Sequence, residues 1–403
     1  MSTDDQTVQK TAKKPSPLIP IFLIVFVDIL GLTIILPLFP FYAEKFGATP
    51  AVVGSLVSVY AFCQFLAGPI LGQLSDRHGR RPVLLLSQLG TFVGFLVLAF
   101  ASSLWMLFLG RIIDGLTAGN ITVAQAAISD VTPPKDRVRA YGIIGVSFGL
   151  GFLLGPAISG VLVGYSMSAP IFAAAGLSFL SILGTLFIFP KAKPALDTNI
   201  EKGLFIKLET WKRFFSHPDL KIYLGQFFIF NVVFTCFTSG FALFAERSLI
   251  WDGHPFSARE VGFVLAGLGF YGMILQGGLI GRLAKKFGEI KLVLWGFITC
   301  LIGYFLLSFA SNFMVLGLAL VISSFGTGVL RPALTALVSE VVSPTEQGLA
   351  MGVSQSLGSI ANILAPLIAG ALIQTGHLAL WALAMSAISG VALIMIAMRK
   401  VTS

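Results

Sequence analysis

Charge is scarce in this chain. Only 11% of its 403 residues are charged and 18 of them are acids, whereas 56% are hydrophobic. A soluble protein carries roughly 25% charged residues and needs them to cover its surface, so a molecule bathed wholly in water is excluded and lipid must solvate much of it. Cysteine and histidine are few as well, at 3 and 4. Cys63, Cys236 and Cys300 fall inside apolar stretches and no histidines pair at zinc-ligand spacing, so the cysteines read as small core residues and neither a metal site nor another cofactor is expected. The chain also lacks a G-x-x-x-x-G-K-[ST] phosphate loop and a polar segment long enough to hold a nucleotide-binding domain, which argues against an ATP-driven pump. No cluster of catalytic side chains stands out, so an enzyme is not expected.

What is present is long apolar runs. About twelve, each near the roughly 20 residues that a helix needs to cross a bilayer, lie near 18–42, 50–74, 82–101, 104–130, 138–164, 169–190, 220–246, 258–284, 290–309, 313–340, 346–374 and 378–398. They show no alternation of polar and apolar residues, so they predict helices and not barrel strands. The first run is too long for a signal-peptide core and no small-residue cleavage pattern follows it, so it is expected to stay in the protein. Residues 1–17, MSTDDQTVQKTAKKPSP, are polar and read as a disordered tail.

The net charge of +9 is distributed in alternate loops. Lysine and arginine gather at 10–14, 77–81, 135–139, 191–221, 282–291 and 399–400, while the intervening loops hold little beyond Lys45, Arg247 and Arg259. Because positive loops stay on the cytoplasmic side, the pattern predicts a multi-pass protein of a bacterial inner membrane with both termini inside. The excess charge then orients the chain, and a nucleic-acid partner is not expected.

The polar stretch in the middle divides the runs six and six. This gives an N-terminal bundle over 18–190, a cytoplasmic linker over 191–219, a C-terminal bundle over 220–398 and a tail over 399–403. Leu204, Ile206, Leu208, Trp211 and Phe214 or Phe215 alternate with basic residues in the linker, as in a helix lying on a membrane surface. The halves repeat at an offset of about 210 residues: GQLSDRHGRRPVL from Gly72 matches GRLAKKFGEIKLV from Gly281, and GFLLGPAISG from Gly151 matches ANILAPLIAG from Ala361. Parallel six-helix repeats, with a substrate site between them near the midplane, are a design of rocking-bundle transporters.

These residues resemble a known family. GQLSDRHGRRPVL fits the signature between spans two and three of the major facilitator superfamily, with Arg81 standing for lysine. GLTIILPLFP from Gly31 is similar to the first-helix pattern of twelve-helix drug:proton antiporters, and GFLLGPAISG to their fifth-helix antiporter motif through Gly151, Gly155, Pro156 and Gly160, with Ser159 in place of a glycine. LWMLFLGRIIDG, SFGLGFLLGP and VGFVLAGLGF bring the resemblance closest to the tetracycline/proton branch. It implies an all-α membrane protein of two pseudo-symmetric six-helix bundles that exports amphipathic compounds in exchange for protons. In that reading Gly72, Asp76, Gly79, Arg80, Arg81 and Asp130 form a gate latch: Asp76 meets the positive N-terminus of span eleven near Glu346 to Gly348, and Arg80 pairs with Asp130. Arg77 and Arg81 serve equally well as topology anchors. The branch carries further intramembrane acids and a histidine where this chain has Gly94, Gly272 and Thr299 or Cys300, which speaks against a metal-tetracycline complex as cargo.

Ionisable groups in the hydrocarbon region cost at least roughly 2.5–3.5 kcal/mol on insertion scales and are functional candidates. Asp28, Arg111 and Asp114 stand out in the first half and Arg331 in the second. Arg111 and Asp114 are three apart on one helix face and can pair. Arg111 also matches the fourth-helix arginine that the family links to proton coupling. A carboxyl out of water favours its neutral form and a nearby guanidinium its charged form, so Asp28 or Asp114 can load and unload a proton as Arg111 shifts; the alternative is a static pair that fixes helix packing. Arg331 either holds an anionic substrate group or pairs with an acid of the other half, and Pro332 after it is expected to break the helix. Asn120, Gln125, Gln226, Asn231, Gln276 and Gln355 are candidates to line a cavity, against the reading that each bonds helix to helix. The expected partners are a small amphipathic substrate, protons and the bilayer, with the chain acting as a monomer. Rival functions are a proton symporter or facilitator for a small metabolite such as a sugar, and a lysolipid or lipid exporter.

Overall fold

The computed structural model describes residues 18–132, 137–189, 208–343 and 346–402. The polar tail before residue 18 and the linker residues up to 207, including Leu204 and Ile206, lie outside the described residues. The first half contains α1 (Leu18–Ile35), α2 (Phe39–Glu44), α3 (Pro50–His78), α4 (Arg80–Ala99), α5 (Leu104–Leu116), α6 (Asn120–Val131), α7 (Arg137–Leu162) and α8 (Ala169–Phe187). After α9 (Leu208–Ser216), the second half contains α10 (Pro218–Ser248), α11 (Ala258–Ile274), α12 (Ile280–Phe287), α13 (Glu289–Leu307), α14 (Phe313–Val341), α15 (Gln347–Gln374) and α16 (Leu378–Thr402). Among the described residues ten spans are long and apolar enough to cross a bilayer; α1 with α2, and α5 with α6, supply the first and fourth passages in shorter pieces. The result is an all-α membrane protein of two six-passage bundles.

Start and stop signals in the sequence account for many of the helix ends. Pro50 and Pro218 occupy first-turn positions, where their missing N–H is no loss. Asn312 caps α14 by accepting from the Val315 N–H at 3.0 Å, and Ser257 with Glu260 forms a capping box on α11. Gly79 and Gly288, with φ of +91° and +80°, turn α3 into α4 and α12 into α13. Both positions demand a left-handed backbone that glycine adopts without strain.

Four features depart from the sequence reading. The run 18–42 is not one helix, since α1 stops at Ile35 ahead of Pro37. The run 104–130 is broken at Thr117–Gly119, where the Thr117 hydroxyl donates to the Ile113 carbonyl at 2.8 Å and Gly119 packs beside Leu71 and Ser87. Pro332 does not break α14, which runs straight through it, as neighbouring helices allow in membrane segments. The connection after α10 holds a hairpin of β1 (Ile250–Trp251) and β2 (His254–Pro255), turned by Asp252 and Gly253, both at positive φ.

α9 is amphipathic and docks on its own half: Phe214 is buried, and Arg213 pairs with Glu346 at 2.8 Å. The connections holding residues 45–49 and 249–257 lie on one face of the molecule, here the upper face. Gly79, Gly288 and α9 lie on the other, the lower face.

Candidate functional site

The halves meet through two contacts that repeat one another. α3 packs on α15 and α7 on α11. At Gly54 of α3 an added Cβ would run into the carbonyl of Pro366 and toward Gly370; at Gly262 of α11 it would run into the carbonyl of Pro156 and toward Gly160. The sequence repeat thus supplies one steric solution twice: a glycine on one helix opposite a Pro-x-x-x-Gly face on the other. A neighbouring face of α7 packs on α1, where Gly151 abuts Ile29, Gly155 abuts Thr33, and the Thr33 hydroxyl donates to the Gly151 carbonyl at 2.8 Å. Ser159 is fully buried.

These contacts lie toward the upper face, and others reinforce them there. Ser58 donates to the Ile363 carbonyl at 2.6 Å, and the Ala51 N–H donates to Gln374 at 3.2 Å. Arg247 pairs with Glu44 of the other half and with Glu246 at 2.7 Å. The hydrogen bonds and the ion pair described between the halves all lie toward this face. The molecule is therefore closed above and open below, with a cleft between the bundles.

Within the first half, the buried charges lie together. Arg111 and Asp114 are both buried and stand 3.2 Å apart. The guanidinium carbon of Arg111 lies 5.2 Å from the ring centroids of Phe39 and of Tyr60, so it is held between two aromatic rings. Gly94 and Gly110 let α4 and α5 approach closely at Asp114, and Thr91 is a polar neighbour of that acid. Asp28, on α1, lies beside Ser181 of α8 and Asn120 of α6 and close enough to Asp114 to feel its charge. Neither Asp28 oxygen completes a hydrogen bond among the described residues, nor does Oδ1 of Asn120. Ser181 also accepts from Gln88 at 2.8 Å. Tyr60, Gln88, Thr91 and Ser181 were not singled out by sequence reading, because isolated tyrosines, serines and threonines in apolar helices carry no spacing signal.

At the lower face Arg80 donates to Asp130 at 2.7 Å, to Ser75 at 2.8 Å and to Asp76 one turn earlier. Gly72 lies 3.8 Å from Thr122 by its notional Cβ, and the Ser75 hydroxyl donates to the Gly72 carbonyl. Arg81 donates to the Thr185 carbonyl at 3.1 Å and to that of Leu186, so its charge caps the C-terminus of α8. Arg77 is exposed. In this open-below state Asp76 has Arg80 for a partner, while Glu346 at the start of α15 is held by Arg213.

The remaining polar candidates separate. Gln226 is fully buried and donates to the Ala392 carbonyl at 3.1 Å, which ties α10 to α16 instead of lining a cleft. Asn231 donates to Phe227 one turn back at 2.7 Å and faces Gly358. Gln125, Gln276 and Gln355 are exposed, Gln276 within a π-helical turn over Leu275–Leu279. Such turns often mark functional positions. Arg331 is exposed and reaches Phe148 of the other half, 5.8 Å from its ring centroid.

Comparison with known proteins agrees with this architecture. The sequence matches the Major Facilitator Superfamily profile over residues 21–278 and 248–402. It is 33% identical to the class B tetracycline resistance protein of Escherichia coli, over 89% of this chain and 88% of that one. It is 25% identical to the quinolone resistance protein NorA of Staphylococcus aureus (strain COL), over 86% and 87%. A crystal structure of a bacterial homolog of the human lysosomal transporter Spinster, inward-facing and occupied, superposes with a TM-score of 0.77 at 17% identity, covering 97% of this chain and 98% of that one. With its two repeated bundles, its cleft and these relatives, the chain belongs to the major facilitator superfamily.

Proposed function

We propose that the protein exports amphipathic drugs across a bacterial inner membrane in exchange for protons, working as a single chain by alternating access. The lysines and arginines of the lower face support reading it as cytoplasmic, and with it the state as inward-open. The observation that carries the reading is the enclosed cluster of Asp28, Asp114 and Arg111: Asp114 holds the one guanidinium, and Asp28 lies nearby with both oxygens buried and no cation of its own, which leaves a place for one proton. Rocking that moves Arg111 between the acids loads the proton from outside and releases it inside. Tyr60 and Phe39 hold the guanidinium during that shift, and Asn120 and Ser181 orient Asp28. The Asp76, Arg80 and Asp130 set acts at the cytoplasmic rim, where Asp76 leaves Arg80 to meet the start of α15 when the lower face closes. The similarity to tetracycline and quinolone resistance proteins supports drugs as cargo and export as the direction.

The test is drug-induced proton movement in proteoliposomes under an imposed pH gradient, with amphipathic cations, neutral drugs, sugars and lysolipids as probes. Drug addition releases protons in the wild type, and the Asp28→Asn/Asp114→Asn double variant shows none. Proton-driven drug flux that persists in the double variant overturns the mechanism, and proton movement with sugars alone overturns the export reading.

A further inference from the structure

The second half holds one deep charge that the proton-handling cluster leaves unused. Arg331 lies past the midpoint of α14. Its side chain is exposed and lies over a ring of the other bundle, so it faces that bundle and not lipid. It points across the cleft between the bundles, over the Phe148 ring on α7. Among the described residues its side chain makes no ion pair and no hydrogen bond. The acids of the other half do not serve it, because Asp114 is paired with Arg111 and Asp28 is enclosed beside Ser181 and Asn120. A fixed structural pair therefore does not account for Arg331.

Beyond Phe148 the aromatic surface continues. Phe152 stacks on Phe148 with centroids 6.4 Å apart, and Phe234 of the second half lies 6.4 Å from Phe152 and 5.9 Å from Phe230. A row of rings thus crosses from one bundle to the other and ends on an unpaired guanidinium. That juxtaposition has two chemical demands, flat apolar surface along the row and a negative group at its end. Arginine meets a carboxylate with two parallel hydrogen bonds as well as charge.

We propose that Arg331 reads an acid group on the cargo, so that the preferred substrate class is the aromatic amphiphile bearing a carboxylate, with its rings along Phe148, Phe152 and Phe234. The cargo's identity as an exported drug rests on the function proposed above; the anion preference does not, because binding is measured without transport.

The experiment is equilibrium binding to the full-length protein in lipid nanodiscs, using norfloxacin and rhodamine B, each against its own methyl ester. Wild type binds each acid about ten-fold more tightly than the ester that lacks the charge. Arg331→Gln binds acid and ester alike with ester affinity unchanged, which also reports an intact fold, and Arg331→Lys keeps an intermediate preference. If Arg331→Gln fails to fold, Arg331→Met carries the same comparison. No acid preference in the wild type for either pair overturns the proposal, as does a preference that survives in Arg331→Gln or Arg331→Met. Ester-driven proton release without any acid preference leaves drug export standing and removes only the anion site. An acid preference that depends on Arg331, with no proton flux for any drug, does the reverse.

Discussion

The two halves are alike where they touch and unlike where they carry charge. At the contacts, Gly54 meets the Pro366 and Gly370 face just as Gly262 meets the Pro156 and Gly160 face. In the interior, the first half encloses Asp28, Arg111 and Asp114, whereas the deep charge of the second half is Arg331, exposed in the cleft. The difference separates two jobs. Rocking requires both contacts to slide in step, which keeps the repeated glycines and prolines matched. Chemistry needs only one copy of each group, so the repeats are free to diverge, on the function proposed above into a proton-handling bundle and a bundle that presents a cation to cargo.

The comparison breaks hardest at Arg111. Arg111→Gln leaves Asp114 buried without its counter-charge, and losing one partner of a buried pair costs about 3–5 kcal/mol. The expected result is a fall in the detergent melting temperature together with loss of pH-driven drug flux. Adding Asp114→Asn to that variant restores the melting temperature but not the flux. If stability returns with neither change, or flux returns with both, the pair does not join structure to coupling in the way described. The matching experiment in the second half, Arg331→Gln, leaves stability unchanged because that guanidinium has no buried acid to abandon.

The likeness of the contacts is tested by Gly54→Ala and Gly262→Ala. Each places a Cβ against a backbone carbonyl that cannot swing aside, and overpacking of this kind costs about 1–3 kcal/mol. Both variants are expected to lose the open-below state and favour the open-above one, by equal amounts, as read from disulfide cross-linking between cysteines placed at positions 51 and 374 in a cysteine-free background. Gly348→Ala is the control, since nothing lies near that position in this state. Unequal shifts in the two glycine variants mean that one contact leads and the other follows.

Much of this was legible in the sequence, for stated reasons. Span number and the two-fold repeat follow from apolar run length and from GFLLGPAISG aligned with ANILAPLIAG. The deep charges stand out because they are so costly in lipid. What the sequence hides is partnership. Nothing in the spacing of Gln88, Ser181 or Tyr60 shows that they gather around Asp28 and Arg111, since those contacts join helices far apart in the chain. Gln226 looks like a cavity residue by composition and is an inter-helix bond by placement. The break at Thr117–Gly119 is hidden because its flanks are equally apolar, and the Asp252-Gly253 hairpin because each strand is two residues long.

The smallest effect lies at the upper rim, where charge and contact coincide. Arg247 links the halves through Glu44 and also holds Glu246. These groups are partly exposed, so each pair contributes about 0.2–1 kcal/mol and is screened by salt. Arg247→Gln is therefore expected to shift the population away from the open-below state by no more than about five-fold, less than either glycine variant, in the same 51 to 374 cross-link. Glu44→Gln should give a comparable shift and the double variant little beyond it, because both remove one interaction. High salt should bring the wild type toward the variants. A shift larger than that of Gly54→Ala, or one indifferent to salt, would mean that the upper face is held by these charges and not by the packed glycines, and the matched contacts would then be a consequence of closure instead of its cause.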